Sequence, residues 1–253
     1  MTEQAADLVA MAMDYPFSRP DHSFLFADGA VRTLAVERVD ATLARWGAAP
    51  MAERTAVLAY GANAAPERLR RKFAGHAPGM VFPVLGARLF DFDIVYACHY
   101  SSYGALPATL APSPGTVVEV AVTYLDPAQL ARMHETELPS QNYVFGRLEK
   151  ITLRPDGLAE LDAVHSYWTA YGYFADDSGP VALSAVAAEG RRFAAAAQRA
   201  MQIRALAQLA PGRDLHHFIH ENIADPGLRR RRGLALRAKA RPFDHPHCEL
   251  LAG

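Results

Sequence analysis

The sequence predicts an α+β fold, a mixed β-sheet curled toward a barrel with helical extensions at both ends. Three observations carry this expectation. Between residues 55 and 170, short stretches rich in Val, Ile, Tyr and Phe follow one another with turn signals between them, the composition of pleated, half-buried strands. One clear helix interrupts them, which argues for a curled mixed sheet and against alternating βαβ units. On either side, apolar residues return to helical spacing. The chain divides on this basis into an N-terminal extension (1–54), a barrel core (55–175) and a helical C-terminal extension (176–253).

In the first segment a short helix is expected over residues 5–13, broken by Tyr15-Pro16-Phe17-Ser18-Arg19-Pro20 because proline cannot continue a helix. A second helix over 36–46 carries Val36, Val39, Leu43 and Trp46 on one face. The core should then hold strands at 56–60, 81–92, 93–97, 116–124, 143–153 and 158–168. Pro112-Ser113-Pro114-Gly115 and Pro155-Asp156-Gly157 read as turns between strands. The core helix starts at Asp126, a good N-cap, with Pro127 at the first helical position. Beyond the core, residues 181–209 are alanine-rich and read as helical. Residues 214–240 read as a second helical region broken near Asp225-Pro226-Gly227, and the tail from Arg241 to Cys248 as irregular.

At 253 residues the chain can bury a substantial core, and 51% hydrophobic with 21% charged residues is ordinary globular composition. A formal net charge of −1 gives no global reason to expect nucleic acid or an anionic membrane as partner. Cys98 and Cys248 form no Cys-x-x-Cys pair and suit a reducing compartment. The acidic start lacks the cationic region of a signal peptide, and no stretch approaches the ~20 apolar residues of a membrane span. The expectation is a cytoplasmic protein.

Two features carry chemistry. The apolar run Val57-Leu58-Ala59 breaks into Tyr60-Gly61-Ala62-Asn63 and then into the charged stretch Pro66-Glu67-Arg68-Leu69-Arg70-Arg71-Lys72-Phe73. A strand, a tight glycine turn and a helix start leave backbone N–H groups free to receive an oxyanion or a carboxylate. The plainer alternative is a common strand–helix junction in which Gly61 supplies a permissive backbone angle. The second feature is Glu137. On a helix from Pro127, Leu130, Met133, His134 and Glu137 share a stripe about 100° wide while Glu135 points to water. Glu137 then ends the buried face as a lone, poorly solvated carboxylate suited to general-base work. The alternative is a helix that has already stopped, with Glu137 in a solvated loop.

Other constellations read more plainly. His216 and His220 share a helix face, but the pattern is not His-Glu-x-x-His and no third ligand follows. Asp244, His245, His247 and Cys248 offer ligand types in a tail. No metal and no cofactor is expected. Cys98, within Val95-Tyr96-Ala97-Cys98, reads as a packing residue before a thiol nucleophile. Arg229-Arg230-Arg231-Arg232 is a basic run without interleaved aromatics, read as solvated or paired with acidic neighbours. His99-Tyr100-Ser101-Ser102-Tyr103-Gly104 is either a polar loop or a source of specificity contacts.

Tyr60-Gly61-Ala62-Asn63 followed by Arg68-Leu69 resembles the Tyr-Gly-Ser-Asn signature of the gamma-glutamylcyclotransferase-like family. Leu85-Gly86-Ala87-Arg88-Leu89-Phe90-Asp91-Phe92 resembles the family's second strand, and Pro107-Ala108-Thr109-Leu110-Ala111-Pro112-Ser113-Pro114-Gly115 its Ala-Thr-Leu-x-Pro-x-x-Gly segment. Glu137 stands where the family has its catalytic glutamate, and Tyr143 resembles a tyrosine that follows it. The resemblance implies a gamma-glutamylcyclotransferase-like α+β barrel holding a small γ-glutamyl compound, glutathione among the candidates. It implies Glu137 as general base, Tyr60, Gly61, Ala62 and Asn63 as the substrate-binding turn, Tyr143 as a hydrogen-bonding partner, and 5-oxoproline as product. Ala62 departs from the usual serine, and the interval from Glu137 to Tyr143 is shorter than in the family. An amide hydrolase that activates water with the same glutamate, and a non-catalytic binding protein with a degenerate pocket, remain alternatives. The extensions lie outside the usual core; covering the pocket mouth and forming a homodimer are roles open to them.

Overall fold

The computed structural model describes residues 3–76 and 79–253. Helix α1 (Glu3–Met13) leads into a hairpin of β1 (Phe24–Ala27) and β2 (Ala30–Thr33), followed by α2 (Val39–Arg45), β3 (Thr55–Ala59) and α3 (Pro66–Lys72). Two long strands come next, β4 (Val81–Tyr96) and β5 (Ala108–Leu125), then α4 (Pro127–Glu137), β6 (Tyr143–Pro155) and β7 (Leu161–Thr169). The last third holds β8 (Ala175–Asp176), β9 (Gly179–Leu183), β10 (Ala188–Glu189), β11 (Ala194–Ala196), α5 (Gln198–Leu209), α6 (Leu215–Ala224), α7 (Pro226–Arg237) and β12 (Cys248–Ala252).

The pairings β5–β3, β3–β7, β7–β6, β6–β4 and β4–β5 close a ring, so the curled α+β barrel is the architecture. All contacts in the ring are antiparallel except β3 with β7. The period-2 alternation of a strand separates two cores across β3. Leu58 packs with Leu85, Leu110 and Val122 inside the ring, while Val57 and Ala59 join Leu69, Phe73, Met133 and Phe145 beneath α3 and α4. Helix α4 is fixed as expected. The Asp126 carboxylate accepts from Gln129 N at 2.9 Å and the Gln129 side chain accepts from Asp126 N at 3.1 Å, a reciprocal capping box.

Several local expectations are corrected. Residues 81–97 do not form two strands; β4 runs through them. Pro112-Ser113-Pro114-Gly115 is not a turn between strands but lies inside β5. Phe90 opposes Val117 and Phe92 opposes Pro112, so residues 113–116 face Asp91 alone. Asp91 takes a φ of 64° and its Oδ1 accepts from Gly115 N at 2.7 Å, which satisfies the bulged backbone where the ladder cannot. The alanine-rich segment from 181 is helical only from Gln198. Before that, Val181 and Leu183 are buried and Ala182 pairs with Val95 of β4, so packing overrides helix propensity. Phe24–Ala27 and Ala30–Thr33 form a hairpin between the two expected helices of the N-terminal segment, where no strand is expected, and Cys248–Ala252 adds a strand to β6 from a tail read as irregular. The sheet thus draws strands from all three segments of the chain.

Candidate active site

The end of β3 delivers the turn. Tyr60 is buried, and its hydroxyl donates to the Tyr167 carbonyl. Gly61 has a φ of −126°, outside the left-handed region, so its glycine answers to space. A Cβ there would run into the Tyr15 hydroxyl, which itself accepts from Ala108 N at 2.7 Å. A single 3₁₀ turn, Ala62–Ala64, then feeds α3. Among the described residues the backbone N–H groups of Gly61, Ala62 and Asn63 have no acceptor.

Glu137 is the last residue of α4, and the stripe reading holds: Met133 is buried beneath it, while Glu135 is exposed and paired with Arg132 at 2.8 Å. Turn and glutamate meet directly, because Asn63 Nδ2 donates to Glu137 Oε1 at 3.1 Å. The expectation of a lone carboxylate is corrected. Lys72 Nζ forms an ion pair with the same Oε1, and both side chains are only 13% exposed. Oε2 has no partner among the described residues. Lys72 also donates to Thr136 Oγ1 at 3.3 Å, and its carbonyl accepts from Arg132 Nε at 2.7 Å, so α3 and α4 are stitched beside the carboxylate. Sequence reasoning passed over Lys72. The available signal was its i, i+4 relation to Arg68, which puts both on one face of α3.

These groups line a cavity of about 220 Å³, below the roughly 300–1,000 Å³ usual for ligand sites. Tyr143 reaches it despite the short interval, with its hydroxyl donating to the Ala108 carbonyl at 3.1 Å. Tyr15, Tyr103 and Tyr167 complete a set of phenols around the carboxylate. Burial is the largest influence on each and raises its pKa. Tyr103 is pushed up to about 12, with Arg68 pulling down and Glu137 pushing up. Tyr143 lies well above the ordinary phenol, raised by burial, the neighbouring tyrosines and Glu137. The ring is therefore one of neutral hydroxyls. His134 sits outside the cavity; its Nδ1 is 2.7 Å from the Tyr167 hydroxyl and its ring packs on Phe145.

The loop after β4 contributes His99, Ser101, Ser102 and Tyr103 to the wall. His99 is 3% exposed, and burial, with Arg237 nearby, drives its pKa down to about 3. Its ring meets the Tyr143 ring edge-on at 5.1 Å, and Nδ1 is shielded without a partner. Cys98 packs, and burial raises its thiol to about 12, far from a nucleophile.

The remaining constellations are structural. Arg232 pairs with Glu221 at 2.7 Å and donates to Asn222 Oδ1 at 2.8 Å, and Arg229 Nη1 donates to the Asn222 carbonyl at 2.8 Å. His217 Nδ1 lies 3.1 Å from Asp214 at the start of α6. Among the described residues no group of three or more His, Cys, Asp and Glu is placed to hold a metal, and no helix is long and apolar enough to cross a membrane. A second cavity, about 550 Å³, lies across Tyr60 and Gly61 under residues 16–22. Among its charged groups, Asp156 accepts from Ser23 at 2.8 Å, Arg88 pairs with Glu189 at 2.7 Å, and Arg19 donates to the Glu119 carbonyl at 3.2 Å.

No protein-family model and no curated protein matches the chain. Solved structures are similar to it in three dimensions. One, described as a gamma-glutamyl cyclotransferase, has 17% identity and a TM-score of 0.37 over 77% of this chain and 92% of that one. An uncharacterized protein from Homo sapiens has 17% identity and a TM-score of 0.38 over 76% of this chain and 91% of that one. A protein from Arabidopsis thaliana has 18% identity and a TM-score of 0.34 over 47% of this chain and 70% of that one. At these identities and scores the likeness carries no functional weight, and the chemistry is argued from the cavity itself.

Proposed function

We propose that the cavity cleaves a γ-glutamyl amide by intramolecular cyclisation. Glu137 takes a proton from the substrate's α-amine through Oε2, the oxygen that neither Asn63 nor Lys72 occupies. The amine nitrogen attacks the γ-carbonyl carbon, the bond to the leaving nitrogen breaks, and the proton passes to that nitrogen. The products are 5-oxoproline and a free amine or amino acid, and nothing is oxidised or reduced.

The observation that carries this reading is the hydrogen bond from Asn63 to Glu137, which fixes a base beside a turn with three unused N–H donors. A five-membered closure needs a held conformation, a base and donors for the developing oxyanion. Donation comes from the backbone, so alanine at position 62 leaves it in place. The small volume suits a γ-glutamyl group with its amide.

The test is product analysis by mass spectrometry with γ-glutamyl amino acids, γ-glutamyl amines and glutathione, using the wild type and Glu137→Gln. 5-Oxoproline from the wild type alone is the expected result. Free glutamate in its place would replace cyclisation with attack by water, and no product from any member would overturn the reading.

A further inference from the structure

Three charged side chains line the cavity, and two cancel: Lys72 and Glu137 form a pair. The third is Arg68, whose guanidinium makes no hydrogen bond and no ion pair with any described residue. Its Nε is shielded from solvent without an acceptor. The neighbouring carboxylates are taken elsewhere, Glu67 by Arg71 at 2.6 Å and Glu137 by Lys72. What holds Arg68 is aromatic. Its guanidinium carbon lies 5.0 Å from the Phe17 ring centre and 4.5 Å from that of Tyr103. Stacking restrains the plane of the fork while using none of its five N–H donors.

A guanidinium whose Nε is shielded without an acceptor gains when a counter-charge arrives. The acceptor that fits a planar fork is a planar anion, and a carboxylate takes two parallel N–H bonds from it. Arg68, Tyr103 and Glu137 line the same cavity. The anion would therefore sit on the same ligand that Glu137 acts upon.

We propose that Arg68, clamped by Phe17 and Tyr103, is the carboxylate-recognition residue of this cavity, so that its ligands are anions. That the carboxylate is the α-carboxylate of a γ-glutamyl group rests on the cyclisation reading; the preference for an anion does not. Phe17 belongs to the N-terminal segment, which thereby acts as the positioning part of a specificity device.

The test compares carboxylate and carboxamide ligands of matched shape by titration calorimetry: 5-oxoproline against its carboxamide, and glutarate against glutaramide. The wild type should favour at least one carboxylate by roughly tenfold or more, the scale of a charge-assisted bidentate contact. Arg68→Gln should bring that ratio close to one, Arg68→Lys should keep part of it, and Phe17→Leu should reduce it with the arginine still present. Thermal midpoints identify any variant that fails to fold, and the two remaining variants then decide. A wild type without carboxylate preference, or variants that keep all of it, would overturn the proposal. Arg68-dependent carboxylate binding without 5-oxoproline formation would leave the subsite standing and remove the cyclisation.

Discussion

Asp93 and Glu137 are both shielded carboxylates paired with a basic side chain, and they are finished differently. Asp93 is fully buried in β4. It accepts from Arg191 Nε at 3.0 Å, from Arg191 Nη2 at 3.0 Å and from Ile94 N at 2.8 Å, so both oxygens are occupied. Arg191 in turn donates to the Val186 carbonyl at 2.7 Å. Glu137 receives Asn63 and Lys72 on one oxygen and keeps the other open. Around it lie further unfinished groups: the N–H donors of the turn, Arg68 Nε and His99 Nδ1. Most buried polar groups in folded proteins are satisfied. A closed pair ties β4 to the chain that follows β9, and an open one is equipped for a ligand.

Four changes probe that contrast. Under the proposed cyclisation the largest effect belongs to Glu137→Gln, which should slow 5-oxoproline formation about 10³-fold, within the usual range for loss of a general base, and leave the fold intact. Initial rates and a thermal midpoint measured on the same preparation check both halves. Asp93→Ala should do the opposite, costing ~3–5 kcal/mol of stability by stranding Arg191 while turnover per folded molecule persists. Urea unfolding followed by activity below the transition separates the two.

The third concerns pH. His99 is held neutral in the folded state, its pKa lowered from 6.5 to about 3 chiefly by burial. The unfolded chain therefore binds the extra proton first as pH falls. Stability from this group is present above about pH 6.5 and is lost toward pH 3, by about 1.4 kcal/mol per pH unit inside the window. His99→Gln should flatten that part of a stability–pH curve, and an unchanged slope would show that His99 is not the titrating group. The smallest effect is Gly61→Ala. Its methyl meets the Tyr15 hydroxyl, which should cost ~1–2 kcal/mol and raise KM more than it lowers kcat.

Legibility in the sequence tracked how local each determinant was. Asp126, Pro127 and Gln129 specify the start of α4 within four residues, and helical periodicity then placed Glu137 correctly at its end. The turn at Gly61 was visible too, although its glycine answers to Tyr15, far away in sequence, and not to backbone angle. The spacing of Lys72 from Arg68 marked its helix face, but its pairing was not legible because the partner lies 65 residues on. Pro112-Ser113-Pro114-Gly115 has turn composition, yet the pairing on both sides makes it a bulge, which only the register with β4 decides. Asp28-Gly29 was a missed local signal. Both residues have positive φ, 49° and 78°, as a tight hairpin between β1 and β2 demands.

The contact between Tyr15 and Gly61 makes the cavity a joint product of two distant stretches of chain. A chain starting at Thr55 would retain the residues of the five ring strands and lose Tyr15 and Phe17, one part of the cavity wall and one jaw of the arginine's clamp. The same contact couples the two stretches energetically. A side chain at position 61 meets the Tyr15 hydroxyl, so a smaller residue at position 15 should relieve the cost of Gly61→Ala.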